Sequence, residues 1–400
     1  MKNEESSRYE GQRLALLGAF PFPYPQGSQV FAGDQARALA LSGARPELFT
    51  YGRGQGKPPP DLKTHVSRSW SAPPSMRSGP HWRKPLADLD LAWVWKNQAA
   101  QARREGDPFD CLLAHNVEAA AVGIALRSTT DVPVVYVAHT ILRHELSAYL
   151  PKRLRPVADR IGQAMDRWVS ARCDGIIALS MDAAKELEPF SNGPISIQPP
   201  GHFIQPPPSE DQIAASCKKH GLTIGRYVLY SGNLDEYQDL ELLEEACLKL
   251  SSSMPPIVIA CHAPQTEKGI RKNPFPSVPC LHIEDFNEMR NLMYGAESLI
   301  LTRRRPGGFP IKLLNYMEAA RPIIAFEGIA SGLLNGESAR LLPPGSSSLE
   351  FAKAITEVHN QPQLQERLGS GAFRHLTQEH DWRALGENTV SYINEITEMK

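Results

Sequence analysis

Short apolar runs alternate along the chain with longer stretches whose apolar residues recur every three or four positions. Arg13–Phe20 (RLALLGAF) is nearly all apolar, and such a run predicts a strand covered on both faces. A Pro- and Gly-rich loop, Pro21–Ser28, follows it. Gln29–Leu41 then spaces Val30, Ala32, Ala36, Ala38 and Leu41 as a helix does. Glu47–Tyr51 predicts a second strand. Gly52–Pro85 is rich in Pro, Gly, Ser and Arg without periodicity and predicts a long surface loop. Strands at Asp110–His115, Val132–Ala138, Gly175–Leu179 and Ile195–Gln198 then alternate with helices at Val117–Leu126, Pro151–Cys173 and Met181–Leu187.

Between Ser191 and Pro208 there are six prolines, which neither helix nor strand continues through. This stretch is the candidate linker. A second alternating series follows. Its strands are near Tyr227–Ser231, Pro256–Ala260, Pro279–His282, Ser298–Thr302, Pro322–Ala325 and Ala339–Leu342. Its helices are near Asp239–Leu250, Phe286–Tyr294, Phe309–Ala320 and Leu349–His359, with a last one at Trp382–Met399. Alternation of this kind predicts an α/β chain of two doubly wound, Rossmann-like domains. The expected boundaries are 1–200, 201–380 and a C-terminal helix at 381–400, for which a return to the N-terminal domain is one placement. Such domains bind ligands at the carboxyl ends of their strands, here across a central cleft.

Composition narrows this picture. The 400 residues suit two domains, 42% of them are apolar and 22% charged, and the formal net charge is -1. No global field draws the chain to nucleic acid, so any anion site is local. Its apolar runs are strand-sized, and the polar, acidic N-terminus is not that of a signal peptide. The six cysteines show no CxxC pairing and read as reduced, buried thiols of a cytoplasmic protein.

The densest chemistry lies in Leu299–Ala325, LILTRRRPGGFPIKLLNYMEAARPIIA. A strand ends in Arg303, Arg304 and Arg305. Pro306-Gly307-Gly308 turns the chain, and Pro310 takes the first helical position with Lys312 in the first turn. A cation there opposes the helix dipole unless an anion binds, and an anion would meet free N–H groups, glycine backbone and the ammonium together.

This tract resembles the donor site of glycosyltransferase family 4, the retaining GT-B enzymes. The resemblance extends over most of the chain, through LALLGAFPFPYPQGSQVFAGDQARALA, VPVVYVAHT, DGIIALSMDAAKEL with ISIQPPG, and YVLYSGNLDEYQDLELLEEA. It implies transfer of a sugar from a nucleotide-diphosphate sugar to a glycan or lipid-linked acceptor, without metal or other cofactor. It also implies a cytoplasmic enzyme of polysaccharide or glycolipid synthesis. The donor side would comprise Gly27, Ser28, Asn233, Arg303, Arg304, Gly307, Gly308, Phe309, Pro310, Ile311 and Asn315. His139 at a strand end and Lys312 would be the catalytic pair, and His115 with Asn116 would line the acceptor side.

The chain departs from the family in one respect. The two usual glutamates fall on Gly307 and Asn315, and the two usual phosphate-binding cations on Asn233 and Gln238. Asn315 can still hydrogen-bond a hydroxyl, whereas Gly307 offers only its N–H. Lys312 and one of the arginines are the nearest replacement cations. These losses keep a second reading open, in which the chain is a catalytically impaired relative that binds a sugar or nucleotide sugar. Asp88-Leu89-Asp90 imitates a metal-binding DxD but opens a helix-like stretch, where acidic residues are favourable. His144-Glu145 starts like HExxH, yet position 148 is Ala. Finally, Pro151–Cys173 carries Lys152, Arg153, Arg155, Arg160, Arg167 and Arg172 beside one apolar face of Leu154, Val157, Ile161, Met165 and Trp168. That pattern suits a core helix with a solvated outer face and equally a helix resting on an anionic membrane.

Overall fold

The computed structural model describes residues 11–24, 26–72, 81, 83–149, 153–234, 238–261, 275–304, 308–330 and 332–399. Its residues fall into two compact units, Met1–His202 with Asp381–Lys400, and Phe203–Pro306 with Pro310–His380.

The first unit holds strands β1 (Arg13–Pro21), β2 (Arg45–Tyr51), β3 (Lys63–Val66), β4 (Cys111–His115), β5 (Val134–Ala138), β6 (Gly175–Ala178) and β7 (Ile195–Ile197). They form a parallel sheet in the order β3-β2-β1-β4-β5-β6-β7. Leu14 to Leu17, Leu112 to Ala114 and Val135 to Ala138 are fully buried, because helices cover both faces. Those helices include α1 (Gly27–Leu41), α2 (Lys84–Arg104), α3 (Asn116–Thr130), α4 (Leu142–Tyr149), α5 (Arg155–Ser170) and α6 (Met181–Leu187).

Two expectations need correction here. The stretch read as one loop, 52–85, contains β3 and the first residues of α2. β3 has no apolar run because it is an edge strand. It is held on β2 partly by polar contacts, Lys63 Nζ and His65 Nε2 lying 3.0 and 2.7 Å from the Glu47 carboxylate. The helix read as Pro151–Cys173 begins only at Arg155, and a separate helix, α4, precedes it.

The second unit contains α7 (Glu210–Lys219), β8 (Val228–Ser231), α8 (Glu241–Cys247), β9 (Ile257–Cys261), β10 (Cys280–His282), α9 (Phe286–Gly295), β11 (Ser298–Ile300), α10 (Lys312–Glu318), β12 (Ile323–Phe326), β13 (Arg340–Leu342), α11 (Ser348–His359) and α12 (Pro362–Glu379). Its parallel sheet runs β10-β9-β8-β11-β12-β13. The helix α10 is shorter than the sequence suggests. Pro310 is not its first residue but accepts a turn bond from Leu313 N–H, and Pro322 stops the helix soon after Ala319.

The last helix, α13 (Trp382–Glu398), packs on the first unit. Tyr392 Oη accepts from Ile176 N–H at 2.9 Å and donates to the Ile176 carbonyl at 3.0 Å, at the rim of β6. Gly175 makes room for this contact: a Cβ there would fall 2.4 Å from Ile396 Cδ1.

Candidate functional site

In each sheet the strand order reverses once, between β1 and β4 in the first and between β8 and β11 in the second. Helices leave to opposite faces at such a point and open a crevice at the carboxyl edge. The residues singled out from sequence gather at these two edges.

In the first unit, β4 ends at His115 and β5 runs into His139. Both rings are buried, and His115 Nδ1 lies 2.9 Å from His139 Nε2. Phe31 packs edge-on against His139 with centroids 4.7 Å apart. The residues expected to serve donor and acceptor separately therefore form one pair. Asn116 follows with φ of 70°, a left-handed conformation that asparagine tolerates better than most residues. Gly27 and Ser28 open α1, whose Gln26 cap supplies no side-chain bond. Gly308 and Phe309 group with this unit. A Cβ on Gly308 would stand 2.4 Å from the His139 carbonyl oxygen, so only glycine fits that approach.

Burial pushes His139 down to about 3. Burial, and then the charge His139 would carry, hold His115 well below its ordinary value. Both rings are therefore neutral at physiological pH, and one donates to the other. The sign of the pH effect follows. The unfolded chain takes up protons below pH 6.5 while the folded rings do not, so the stability His139 contributes is lost from about 6.5 toward 3 at about 1.4 kcal/mol per pH unit, and His115 acts in the same direction. Between pH 7 and 5 the native chain should lose about 2 kcal/mol more than His139→Gln. Urea unfolding at the two pH values measures this, and equal losses would mean that the folded ring is already protonated.

A polar cluster lies at the same edge. Tyr51, ending β2, donates to Asp88, and Lys84 donates to Glu118 in the first turn of α3. Thr140 Oγ1 donates to Glu145 Oε2 at 2.5 Å. Burial raises Asp88 to about 6, and the charge of Glu118 adds to the rise. Burial also raises Glu145. The DLDL stretch is indeed helical, but Asp88 is engaged with Tyr51 in a network of its own. Sequence reasoning passed over this cluster. The one available signal was the Lys84–Asp88 spacing of four on a helix face.

In the second unit, β8 ends at Ser231 and passes through Gly232 to Asn233. Gly232 has φ of 134°, and a Cβ on it would fall 2.4 Å from Lys312 Nζ. The Lys312 ammonium donates to Tyr230 Oη at 2.9 Å and to Gln238 Oε1 at 3.3 Å, and it lies 4.2 Å from the centre of the Tyr230 ring. Tyr230 Oη in turn donates to the Asn233 carbonyl at 2.8 Å. Tyr316 anchors the floor by accepting from Ser231 N–H at 2.8 Å. The cation thus rests over bare backbone at the reversal point, beside Gln238.

Arg303 and Arg304 follow β11. Arg304 N–H donates to Asp239 Oδ2 at 3.1 Å, and its Nε lies 3.6 Å from the same oxygen. Thr302 Oγ1 donates to the Gln238 carbonyl at 2.6 Å. Pro310, Ile311 and the Asn315 side chain are half-buried around the start of α10. Arg305 and Gly307 lie outside the described residues. A groove of about 1270 Å³ elsewhere in the first unit runs along α1 past Val30, Asp34, Arg37 and Asp61, and none of these site residues lines it.

Comparison with known proteins shows the family and the fold. Residues 25–202 match the family described as Glycosyltransferase Family 4, and residues 225–361 match Glycosyl transferases group 1. The chain belongs with the family 4 glycosyltransferases. A D-inositol 3-phosphate glycosyltransferase of Xylanimonas cellulosilytica is 25% identical over 270 residues, 62% of this chain and 63% of that protein. One of Arthrobacter sp. is 22% identical over 95% of this chain and 94% of its own length. Among solved structures, the sucrose-phosphate synthase of Thermosynechococcus elongatus superimposes with a TM-score of 0.77 at 17% identity, covering 97% of this chain and all of that one. Anabaena HepE, solved with UDP-glucose, gives 0.69 at 15% identity over 96% and 99%. The fold of this glycosyltransferase is therefore GT-B. No described helix is long and apolar enough to cross a membrane.

Proposed function

We propose that this family 4 glycosyltransferase takes its sugar from a nucleoside-diphosphate donor bound at the carboxyl edge of the second sheet. The sugar goes, with retention and without a metal, to a hydroxyl of a glycan or lipid-linked acceptor. The observation that carries the reading is the Lys312 ammonium held over Gly232 by Tyr230 and Gln238. A diphosphate needs positive charge where its leaving oxygens develop theirs, and a preorganised cation supplies that charge without reorganisation. The Gly232 backbone, carrying no Cβ, lets a phosphate approach closely. The UDP-glucose found in HepE supports a donor of this class.

The acceptor would be received at the first sheet, where neutral His115 and His139 and the Tyr51–Asp88 network offer hydrogen bonds to hydroxyls. Neutral imidazoles suit this role, since the nitrogen each ring keeps outside the pair can donate or accept according to its tautomer. Asn315 would stand in for a carboxylate against donor hydroxyls.

Calorimetric titration with UDP, GDP, ADP and TDP, first without metal and then with Mg²⁺, tests the donor site. One diphosphate is expected to bind without metal and far more tightly than its nucleoside. Binding of none would remove the donor site from this chain. Tight binding with no turnover on any acceptor would make it a binding subunit.

A further inference from the structure

The helix α2 buries Ala87, Leu91, Trp95, Ala99 and Ala102. It leaves Leu86, Leu89 and Trp93 exposed, at spacings of three and four that place them on one outer stripe. Trp93 is 55% exposed. A second indole is tied to the same helix. After β3 the chain turns at 68–71, where Ser71 N–H donates to the Arg68 carbonyl at 3.1 Å. Trp70, the third residue of this turn, is 62% exposed. Indoles carry large apolar faces that folding normally covers, so two of them left in solvent beside Leu89 mark a surface for a ligand.

The turn is braced where it stands. Asp90 of α2, with only 11% of its side chain exposed, accepts from Arg68 N–H at 2.6 Å, and Ser71 Oγ lies 2.9 Å from the same oxygen. Arg53 Nε donates to the Ser69 carbonyl at 2.8 Å. The Arg68 guanidinium lies 5.2 Å from the centre of the Trp93 ring, and its Nε is 3.8 Å from Asp90 Oδ1. One buried carboxylate thus holds the turn, its indole and a cation against the helix. We propose that Trp70 and Trp93 form a platform for a neutral glycan chain, with sugar rings on the indoles and Arg68 donating to their hydroxyls. The C–H face of a pyranose carries partial positive charge and fits the negative face of an indole. Its hydroxyls accept from the fork of guanidinium donors. An anionic bilayer calls for uncompensated cations, whereas Arg68 faces Asp90. A stable dimer covers about 800 Å² on each partner, whereas Arg68 interrupts the apolar surface here. The platform also borders the carboxyl edge of the first sheet, because Asp88, which takes the Tyr51 bond, directly precedes Leu89. On the reading of that edge as the acceptor side, the acceptor is a glycan long enough to run from the edge onto the indoles. Binding of the glycan itself stands apart from that reading.

Fluorine NMR of the full chain labelled with 5-fluorotryptophan tests the platform without donor or turnover, so failure of the donor or acceptor reading leaves the result untouched. The six tryptophans give one resonance each, and Trp70→Phe and Trp93→Phe assign the two in question. The probes are maltohexaose, cellohexaose and laminarihexaose, which share the pyranose C–H face. At least one should shift both resonances saturably, leave that of the buried Trp95 in place, and bind far more tightly than glucose. Trp93→Ala should weaken binding about 3- to 10-fold and Trp70→Ala/Trp93→Ala about 10- to 100-fold, while Trp93→Phe stays within about threefold of the native chain. Both side chains are exposed, and unchanged thermal melting would confirm that the variants fold. No shift with any hexasaccharide, or affinity that the double alanine variant leaves unchanged, would overturn the proposal. So would a dimer in sedimentation velocity that the double variant dissociates, because the indoles would then belong to a second copy of the chain.

Discussion

Lys312→Met is expected to weaken binding of the preferred nucleoside diphosphate by roughly 10- to 100-fold and to leave nucleoside binding within about twofold. Turnover should fall further, by about 100- to 1000-fold, because the ammonium acts most strongly on charge that develops as the bond breaks. Methionine keeps the aliphatic packing over Tyr230 and removes only the charge and its donors. Tyr230 Oη retains its own bond to the Asn233 carbonyl, so the loop after β8 keeps its support. Gly232→Ala approaches the same result from the other side. Its methyl would lie 2.4 Å from Lys312 Nζ at a backbone φ of 134°, displacing the cation without deleting it. Titration of each variant with diphosphate and with nucleoside separates the outcomes. Equal loss of both ligands would show that Lys312 supports the fold and does not bind phosphate.

The second large effect is on stability. Arg290→Met should destabilise the second unit by about 3–5 kcal/mol, lowering its melting temperature by roughly 10 °C. Arg290 and Glu318 form a buried ion pair with Nε and Oε2 at 3.1 Å. Arg290 Nη2 also donates to the carbonyls of Gln205 and Pro206 at 3.1 and 2.9 Å, and Glu318 Oε1 accepts from Gln205 N–H at 2.8 Å. Deleting the arginine strands the buried Glu318 carboxylate without its cation. The pair therefore fastens the proline segment to α9 and α10. Arg290→Met/Glu318→Leu should recover part of the loss, since removing both charges also removes the desolvation cost. Calorimetric melting of both variants measures this. A single variant that melts with the native chain would mean that water already reaches the pair.

Much of the architecture was legible because burial on two faces leaves a plain mark. RLALLGAF and VVYVA can only be central strands of a covered sheet, and the prolines of 199–208, beyond β7, mark a connection. Other elements were less plain. α7 did announce itself, through the Ser209–Gln212 capping box, a signal that proline-rich surroundings obscured. β3 gave no such signal, since its lysine and histidine make sense only beside Glu47.

By itself the sequence determined the two alternating α/β series, the strand ends carrying His115 and His139, and a helix opening near Lys312. These follow from local periodicity and from the conformations glycine and proline allow. Only the tertiary structure decided which of these residues meet. Lys312 finds Gln238 and Tyr230 across 74 and 82 residues of sequence, and His139 finds His115 across 24. It also decided that α5 buries its small face and exposes Val157 and Ile161. The reason is the same in each case. Spacing along the chain fixes which side chains share a face, but the neighbour that face meets is chosen by packing between elements far apart in sequence.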